Sequence, residues 1–397
     1  MKRWAVPLAA GVVIAASGLA LAHAHAGGHE PPPPVVTLAA RSQTIPFELF
    51  RGNRIVVEAR LNGHQTDVLL DTGASVTTID STYARFIGLP HGLKIAGHGA
   101  GGVVDAELVS GLSLQIGGIR LEKLNAGVLD LGAVSRSIGR PIHVVVGRDF
   151  FNSAVVSIDW AASRINVRSH DVFRPAPAAT QVLLSRNGPF NTIPVSVAGA
   201  SPINALLDLG SGAALTLPPT YWAGRDELTA LRYAAGRSGG VGGLHPARSV
   251  LVPEVTLAGK KFENVPASLA EVGNDHDPTQ MANVGIGLLK EFYVDLDLGR
   301  DRVFLTPRSD APPFERDRSG TQLELIGDRL KVAFVSPQGP AAAAGLKPGD
   351  EIVAVDGRRV APDYYEARDW TRGSPGTKVL LERADGSRVE VTFRDYY

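Results

Sequence analysis

Asp71 and Asp208 are the residues whose setting points to chemistry. Each closes an apolar run and opens a turn of small residues, in Val68-Leu69-Leu70-Asp71-Thr72-Gly73-Ala74-Ser75 and in Ala205-Leu206-Leu207-Asp208-Leu209-Gly210-Ser211. A carboxylate is seldom buried unless its charge is compensated, so an Asp ending such a strand is either a turn residue or a working acid. Two copies favour the acid. If related units pack about an approximate two-fold axis, equivalent residues meet, and two carboxylates would face each other. At about 3 Å with an effective dielectric near 20, two unit charges repel by roughly 5 kcal/mol, so such a pair holds one proton over a broad pH range. The ionised Asp would take a proton from water, the protonated one would polarise a peptide carbonyl, and the water would attack without a metal or a covalent intermediate.

The elements that must hold these residues repeat as well. "NRIVVEARLNGHQTDVLLDTGASVTTID" is answered by "FNTIPVSVAGASPINALLDLGSGAALTLP", each a strand, a glycine-containing turn, a second strand and Asp-x-Gly. Downstream of Asp71 follow "GHGAGGVV", an alternating strand pair, "HVVVGRDF" and a last strand. Downstream of Asp208 follow "GRSGGVGG", "VTLAGKKFENVPASLAEV", "NVGIGLLKEF" and "YVDLDLGRDRVFLTP". Short apolar runs broken by 44 Gly and 27 Pro, with few helical periods, predict a mainly β protein. Gly73 and Gly210 leave room in the tight turn and aim its amides at the carboxylates. Val144-Val145-Val146-Gly147 and Val284-Gly285-Ile286-Gly287 fit strands threaded behind each turn.

The whole chain sets outer bounds. Its 397 residues suffice for two or three domains, and 40 Lys+Arg against 40 Asp+Glu leave no basic field for nucleic acid or an anionic membrane. Lys2 and Arg3, an apolar stretch from Trp4 to Ala22, and small-x-small sites at Ala22-His23-Ala24 and Ala24-His25-Ala26 read as a signal peptide over residues 1–26, cleaved near Ala24 or Ala26. With no cysteine, hence no disulfide or lipid-bearing thiol, the expected location is bacterial periplasmic or secreted, with membrane attachment only if the segment stays uncleaved. A Pro-rich spacer is expected over residues 27–42. His23, His25 and His29 straddle the cleavage site and are not taken as a metal tract.

The segment from about Gln43 to Arg308 resembles the retropepsin-like aspartic proteases, on "LLDTGAS" and "VVVGRDF", in a fused two-lobe form. That resemblance implies two tandem β-barrel lobes, at residues 43–172 and 173–308, related by pseudo-two-fold symmetry. It implies Asp71 and Asp208 as catalytic residues, supported by Thr72, Gly73, Ser75, Gly147, Arg148 and Asp149 in lobe one and by Gly210, Ser211 and Gly287 in lobe two. It also implies glycine-tipped flaps over a peptide or protein substrate, at Gly99, Gly101 and Gly102 and at Gly239 and Gly240. Lobe two departs from the pattern. Leu209 replaces the usual Thr or Ser, and "VGIGLLKEF" lacks the Arg-Asp pair.

Beyond a charged, Pro-rich linker at residues 309–319, "SPQGPAAAAGLKPGDEIVAVDG" and "GSPGTKVLLERADGSRVEVTF" resemble the PDZ domains of bacterial periplasmic proteases over residues 320–397. Pro340 opens a short helix that Gly345 ends, and Gln338 and Gly339 are an insertion in the motif. The resemblance implies a loop at Gly320, Thr321, Gln322 and Leu323 that either holds a peptide C-terminus beside a sheet edge or is purely structural.

Two other motifs compete. Gly-Arg-Ser-Gly-Gly around Ser238 satisfies a nucleophile-elbow pattern, but Val241-Gly242-Gly243 follow where a helix is needed. "GHGAGG" satisfies a dinucleotide pattern but opens into β-like sequence. The expectation is therefore an exported aspartic endopeptidase that needs no cofactor or metal. The alternatives are a non-cleaving peptide-binding protein with a degenerate second lobe, or self-association of lobe one across chains.

Overall fold

The computed structural model describes residues 12–14, 20–21, 32–271, 281–367 and 369–397. The protein is mainly β, with a protease domain and a PDZ domain. Two large sheets run in the same strand order. In the first the order is Leu93–Gly99, Gly102–Ile116, Ile119–Leu129, Thr77–Asp80, Val144–Val146, His64–Leu70, Arg54–Leu61 and Glu48–Phe50. In the second it is Tyr233–Gly240, Gly243–Leu257, Lys260–Ala270, Leu215–Leu217, Ala282–Gly285, Ile203–Asp208, Phe190–Val197 and Ser185–Asn187.

The order explains how the aspartates are set. Val144–Val146 lies parallel to Val68–Leu70, and Ala282–Gly285 lies parallel to Ala205–Asp208, so an apolar strand runs beside each Asp-bearing one. These strands carry side chains buried on both faces and read as unbroken apolar runs. Each is followed by glycine and a short helix, Arg148–Phe151 after Gly147 and Ile286–Leu289 after Gly285. A third, six-stranded sheet ties the two halves together, with Val156, Ser157 and Ile158 opposite Leu296, Asp295 and Val294 at its centre.

The termini of these regions are more structured than a linker composition suggests. Val35–Leu38, inside the expected spacer, pairs antiparallel with Ile119–Glu122. Of the expected signal peptide, two short strands are described: Val12–Ile14 runs parallel to Arg237–Gly239, and Ala20–Leu21 pairs with His98 and Gly97. The other residues of that segment, and His23, His25 and His29, lie outside the described residues. No helix among the described residues is long and apolar enough to cross a membrane.

The linker before the PDZ sheet is pinned along its length. Phe314 packs edge-on to Phe262, Arg308 pairs with Asp310, Arg372 reaches Glu315, and Arg318 holds Asp395 at 2.7 Å. In the five-strand PDZ path Thr321–Ile326 is an edge. Val134 and Ile138 of the protease helix Gly132–Ile138 share one apolar cluster with Leu323, Leu325 and the PDZ core. Burying one such side chain contributes about 1.5–3 kcal/mol, so the domains are joined by a core rather than a tether.

Candidate active site

Asp71 and Asp208 are both fully buried and their turns interlock. Gly73 N–H donates to Asp71 Oδ1 at 2.7 Å, and Gly210 N–H donates to Asp208 Oδ1 at 2.8 Å. Each glycine lies against the opposite carboxyl group. A Cβ on Gly73 would stand 2.9 Å from Asp208 Cγ, and one on Gly210 would stand 2.2 Å from Asp71 Cγ. Only a hydrogen atom fits at either position.

Thr72 bridges the halves. Its hydroxyl donates to Leu207 O at 2.7 Å and accepts from Leu209 N–H at 2.9 Å. Leu209 has no hydroxyl to answer with, and its side chain lies fully buried in the apolar core. Ser211 N–H adds a second donor to Asp208 Oδ1 at 3.0 Å. Ser75 lies half-buried at the end of the first turn.

Behind the turns, glycine allows close backbone approach. A Cβ on Gly147 would meet Val76 C at 2.6 Å, and one on Gly285 would meet Ala213 O at 2.4 Å. Arg148 is buried, and its N–H donates to Ala74 O at 3.0 Å; Asp149 Oδ2 accepts from Thr77 N–H at 3.0 Å. Because Gly147 and Gly285 precede equivalent helices, Gly287 stands in the place of Asp149. There it braces by packing and by its N–H to Ala213 O at 2.9 Å.

The two glycine hairpins meet at their tips. Gly101 N–H donates to Val241 O at 2.8 Å, and His245 Nε2 contacts Gly101 O at 2.8 Å. Gly99 abuts Val241, Gly102 faces Gly99 across its own hairpin, and Gly239 and Gly240 pair with Leu244 and Gly243. Ser238 lies mid-strand opposite His245 in this hairpin, with no strand-to-helix turn behind it.

Sequence reasoning missed Asn283 and Arg54 here. Asn283 Nδ2 donates to Asp208 Oδ2 in a very short hydrogen bond. Gly285 and Gly287 share the close approach, a Cβ on Gly287 standing 2.7 Å from Ala214 N. Arg54, nearly inaccessible, lies where a Cβ on Gly212 would be 2.0 Å from its Nη1. Burial lowers the Arg54 guanidinium to about 10, aided by Arg372 and Arg51, while Asp208 and Asp71 act on it in the opposite sense. For Asp71, burial and then the neighbouring Asp208 charge push the carboxyl well above the usual carboxylate range. Comparing Asn283 with Val145 in the internal repeat would have flagged Asn283. No cluster of three or more metal-ligating side chains occurs among the described residues.

In the PDZ region, Gly320 adopts a φ of +74°, and Thr321, Gln322 and Leu323 are buried. Gln322 Nε2 reaches Arg237 O at 3.5 Å, at the outer limit of a hydrogen bond. Ser336 Oγ donates to Ala235 O at 3.3 Å, and Gln338 Oε1 accepts from Ala235 N–H at 3.4 Å. The PDZ edge is thus turned toward the second hairpin and the helix Gly132–Ile138.

The structure thus holds two buried carboxyls on interlocked turns and, elsewhere in the same sheets, two glycine hairpins that meet at their tips. Residues 57–150 match the family model described as aspartyl protease, and residues 331–383 match that of the PDZ domain. These matches support a protease, a peptidase by class, that carries a PDZ domain fitted for peptide or protein binding. No curated protein matches the chain.

Proposed function

We propose that the chain is an exported aspartic endopeptidase whose Asp71 and Asp208 form one catalytic dyad, each from one of two lobes related by an approximate two-fold axis. The reading takes residues 43–172 and 173–308 as the lobes, 320–397 as the PDZ domain, and 1–26 as the export signal. The observation that carries it is the reciprocal packing of Gly73 on Asp208 and Gly210 on Asp71. Two carboxyls held this close and this dry share a proton, which supplies an acid and a base at once. The hairpin tips close over an extended peptide, whose scissile carbonyl is polarised by one Asp while the other takes a proton from the attacking water. Thr72, Gly73, Gly210 and Ser211 hold the carboxyls, and Gly147, Arg148, Asp149 and Gly287 brace the turns.

The test is cleavage of an unbiased peptide library by the full chain, by Asp71→Asn and by Asp208→Asn. Each variant is expected to lose at least about 10³-fold in kcat/KM, the scale on which acid–base catalysis acts. Turnover that survives either change removes the dyad as the catalyst. If Asp71→Asn abolishes turnover and Asp208→Asn spares it, lobe one acts by pairing across chains. If the parent cleaves nothing, the chain is a peptide binder.

A further inference from the structure

Two aspartates that share a proton are interchangeable only when their surroundings match, and these do not. Asp71 Oδ1 accepts the Gly73 N–H, and the Ala74 N–H also bonds this carboxyl, as Ser211 does Asp208, whereas its buried Oδ2 accepts no hydrogen bond. Asp208 Oδ1 accepts from Gly210 and Ser211, and its Oδ2 accepts from Asn283. Asn283 stands two residues before Gly285, the position that Val145 holds before Gly147, so the first half has no side-chain donor there. An ionised carboxylate is an acceptor only, and donors on both its oxygens favour that form.

We propose that Asn283 is a positioning residue that keeps Asp208 ionised and so leaves the dyad's proton on Asp71 Oδ2. The proposal rests on the dyad reading above and assigns its roles. Burial and the Asp208 charge raise the Asp71 carboxyl, in keeping with Asp71 holding the proton. The remaining charge acting on both is Arg54, from the strand Arg54–Leu61. The elements flanking Asp208, at Leu215–Leu217, Ala282–Gly285 and Ile286–Leu289, carry no titratable side chain.

The atoms balance around this assignment. Water's oxygen bonds to the peptide carbonyl carbon as one of its protons passes to Asp208 and the Asp71 proton passes to the carbonyl oxygen. When the resulting diol collapses, the C–N bond breaks, the nitrogen takes the proton from Asp208, and one hydroxyl returns its proton to Asp71. The acid and amine products leave with the starting protonation restored.

The test uses the full chain and Asn283→Val, which installs the side chain of the matching position, with Asn283→Ala as a second variant should the first fold poorly. In kcat/KM against pH, the acidic limb should move up by about one pH unit, a tenfold loss on its acid side, because a hydrogen bond to a charged acceptor is removed. The basic limb should move less. Independently of turnover, the 13Cγ titration of Asp208, identified by its loss in Asp208→Asn, should move up by a similar amount. A midpoint that stays put or moves down in a folded variant overturns the proposal, whatever the activity. An upward shift in a chain that cleaves no peptide upholds it while sinking the endopeptidase reading.

Discussion

The turns at Asp71 and Asp208 are built on one plan and finished differently. Both end a strand, both turn an N–H from the second following residue onto Oδ1, and both press a glycine against the opposite carboxyl. The Asp71 half spends polar groups on joining and bracing: the Thr72 hydroxyl serves the backbone of Leu207 and Leu209, and Asp149 accepts from Thr77. The Asp208 half fills the same places with Leu209 and Gly287 and places an extra side-chain donor, Asn283, on the carboxylate itself. The departure at Leu209 leaves the bridge to the Thr72 hydroxyl. The first half holds the pair together, and the second sets its charge.

The most damaging way to break this comparison is to fill a glycine. Gly210→Ala puts a Cβ 2.2 Å from Asp71 Cγ and must displace that carboxyl, while Gly73→Ala, at 2.9 Å from Asp208 Cγ, asks for a smaller shift. We expect Gly210→Ala to reduce kcat by more than about 10²-fold and Gly73→Ala by less, since sub-ångström misplacement of reacting groups is costly. Peptide turnover, with far-ultraviolet circular dichroism to show that both variants keep their sheets, checks the order. Equal losses would mean that the two contacts are equivalent.

Next in size is the one-sided bridge. Thr72→Val leaves the buried Leu207 carbonyl and Leu209 amide without their partner, which costs about 3 kcal/mol by the usual penalty for orphaned buried groups. Leu209→Thr restores the usual residue but places a hydroxyl where a fully buried Leu side chain packs, so it should also destabilise the chain, not rescue it. Urea unfolding of the two single variants and the double variant decides. A stabilising Leu209→Thr would show that the second hydroxyl is merely missing.

Much of this site was legible along the chain because its signals are local. Leu-Leu-Asp-x-Gly occurs twice, apolar runs end in glycine, and the two glycine tracts mark hairpin tips that do meet. What was not legible depends on register across strands. Asn283 reaches Asp208 from 75 positions away, through the parallel pairing of Leu206 with Asn283. Gly285 and Gly287 both lie against the turn, and the start of the helix Ile286–Leu289 between them sets which backbone atoms each meets. Arg54 sits in an ordinary amphipathic strand, and nothing local marks it as lying between the two halves. The Gln338-Gly339 insertion was visible as a departure, but its partner on the second hairpin was not.

That insertion joins the PDZ domain to the second hairpin. Gln338 Oε1 accepts from Ala235 N–H, Ser336 Oγ donates to Ala235 O and Gln322 Nε2 reaches Arg237 O, so the PDZ domain holds the outer strand of the second hairpin through the backbone of Ala235 and Arg237. Both outer strands also pair with the N-terminal segment, Arg237–Gly239 with Val12–Ile14 and Gly97 and His98 of Leu93–Gly99 with Ala20–Leu21. Because both Ala235 contacts exceed 3.2 Å, Gln338→Ala should change global stability by less than about 1 kcal/mol. Its effect should be local: amide exchange at Ala235 to Arg237 several-fold faster, exchange at Gly97 to Gly99 unchanged, and KM altered more than kcat. Exchange that quickens equally in both hairpins would mean that their tips, joined from Gly101 to Val241, move as one body and that the PDZ domain braces the pair, not one member.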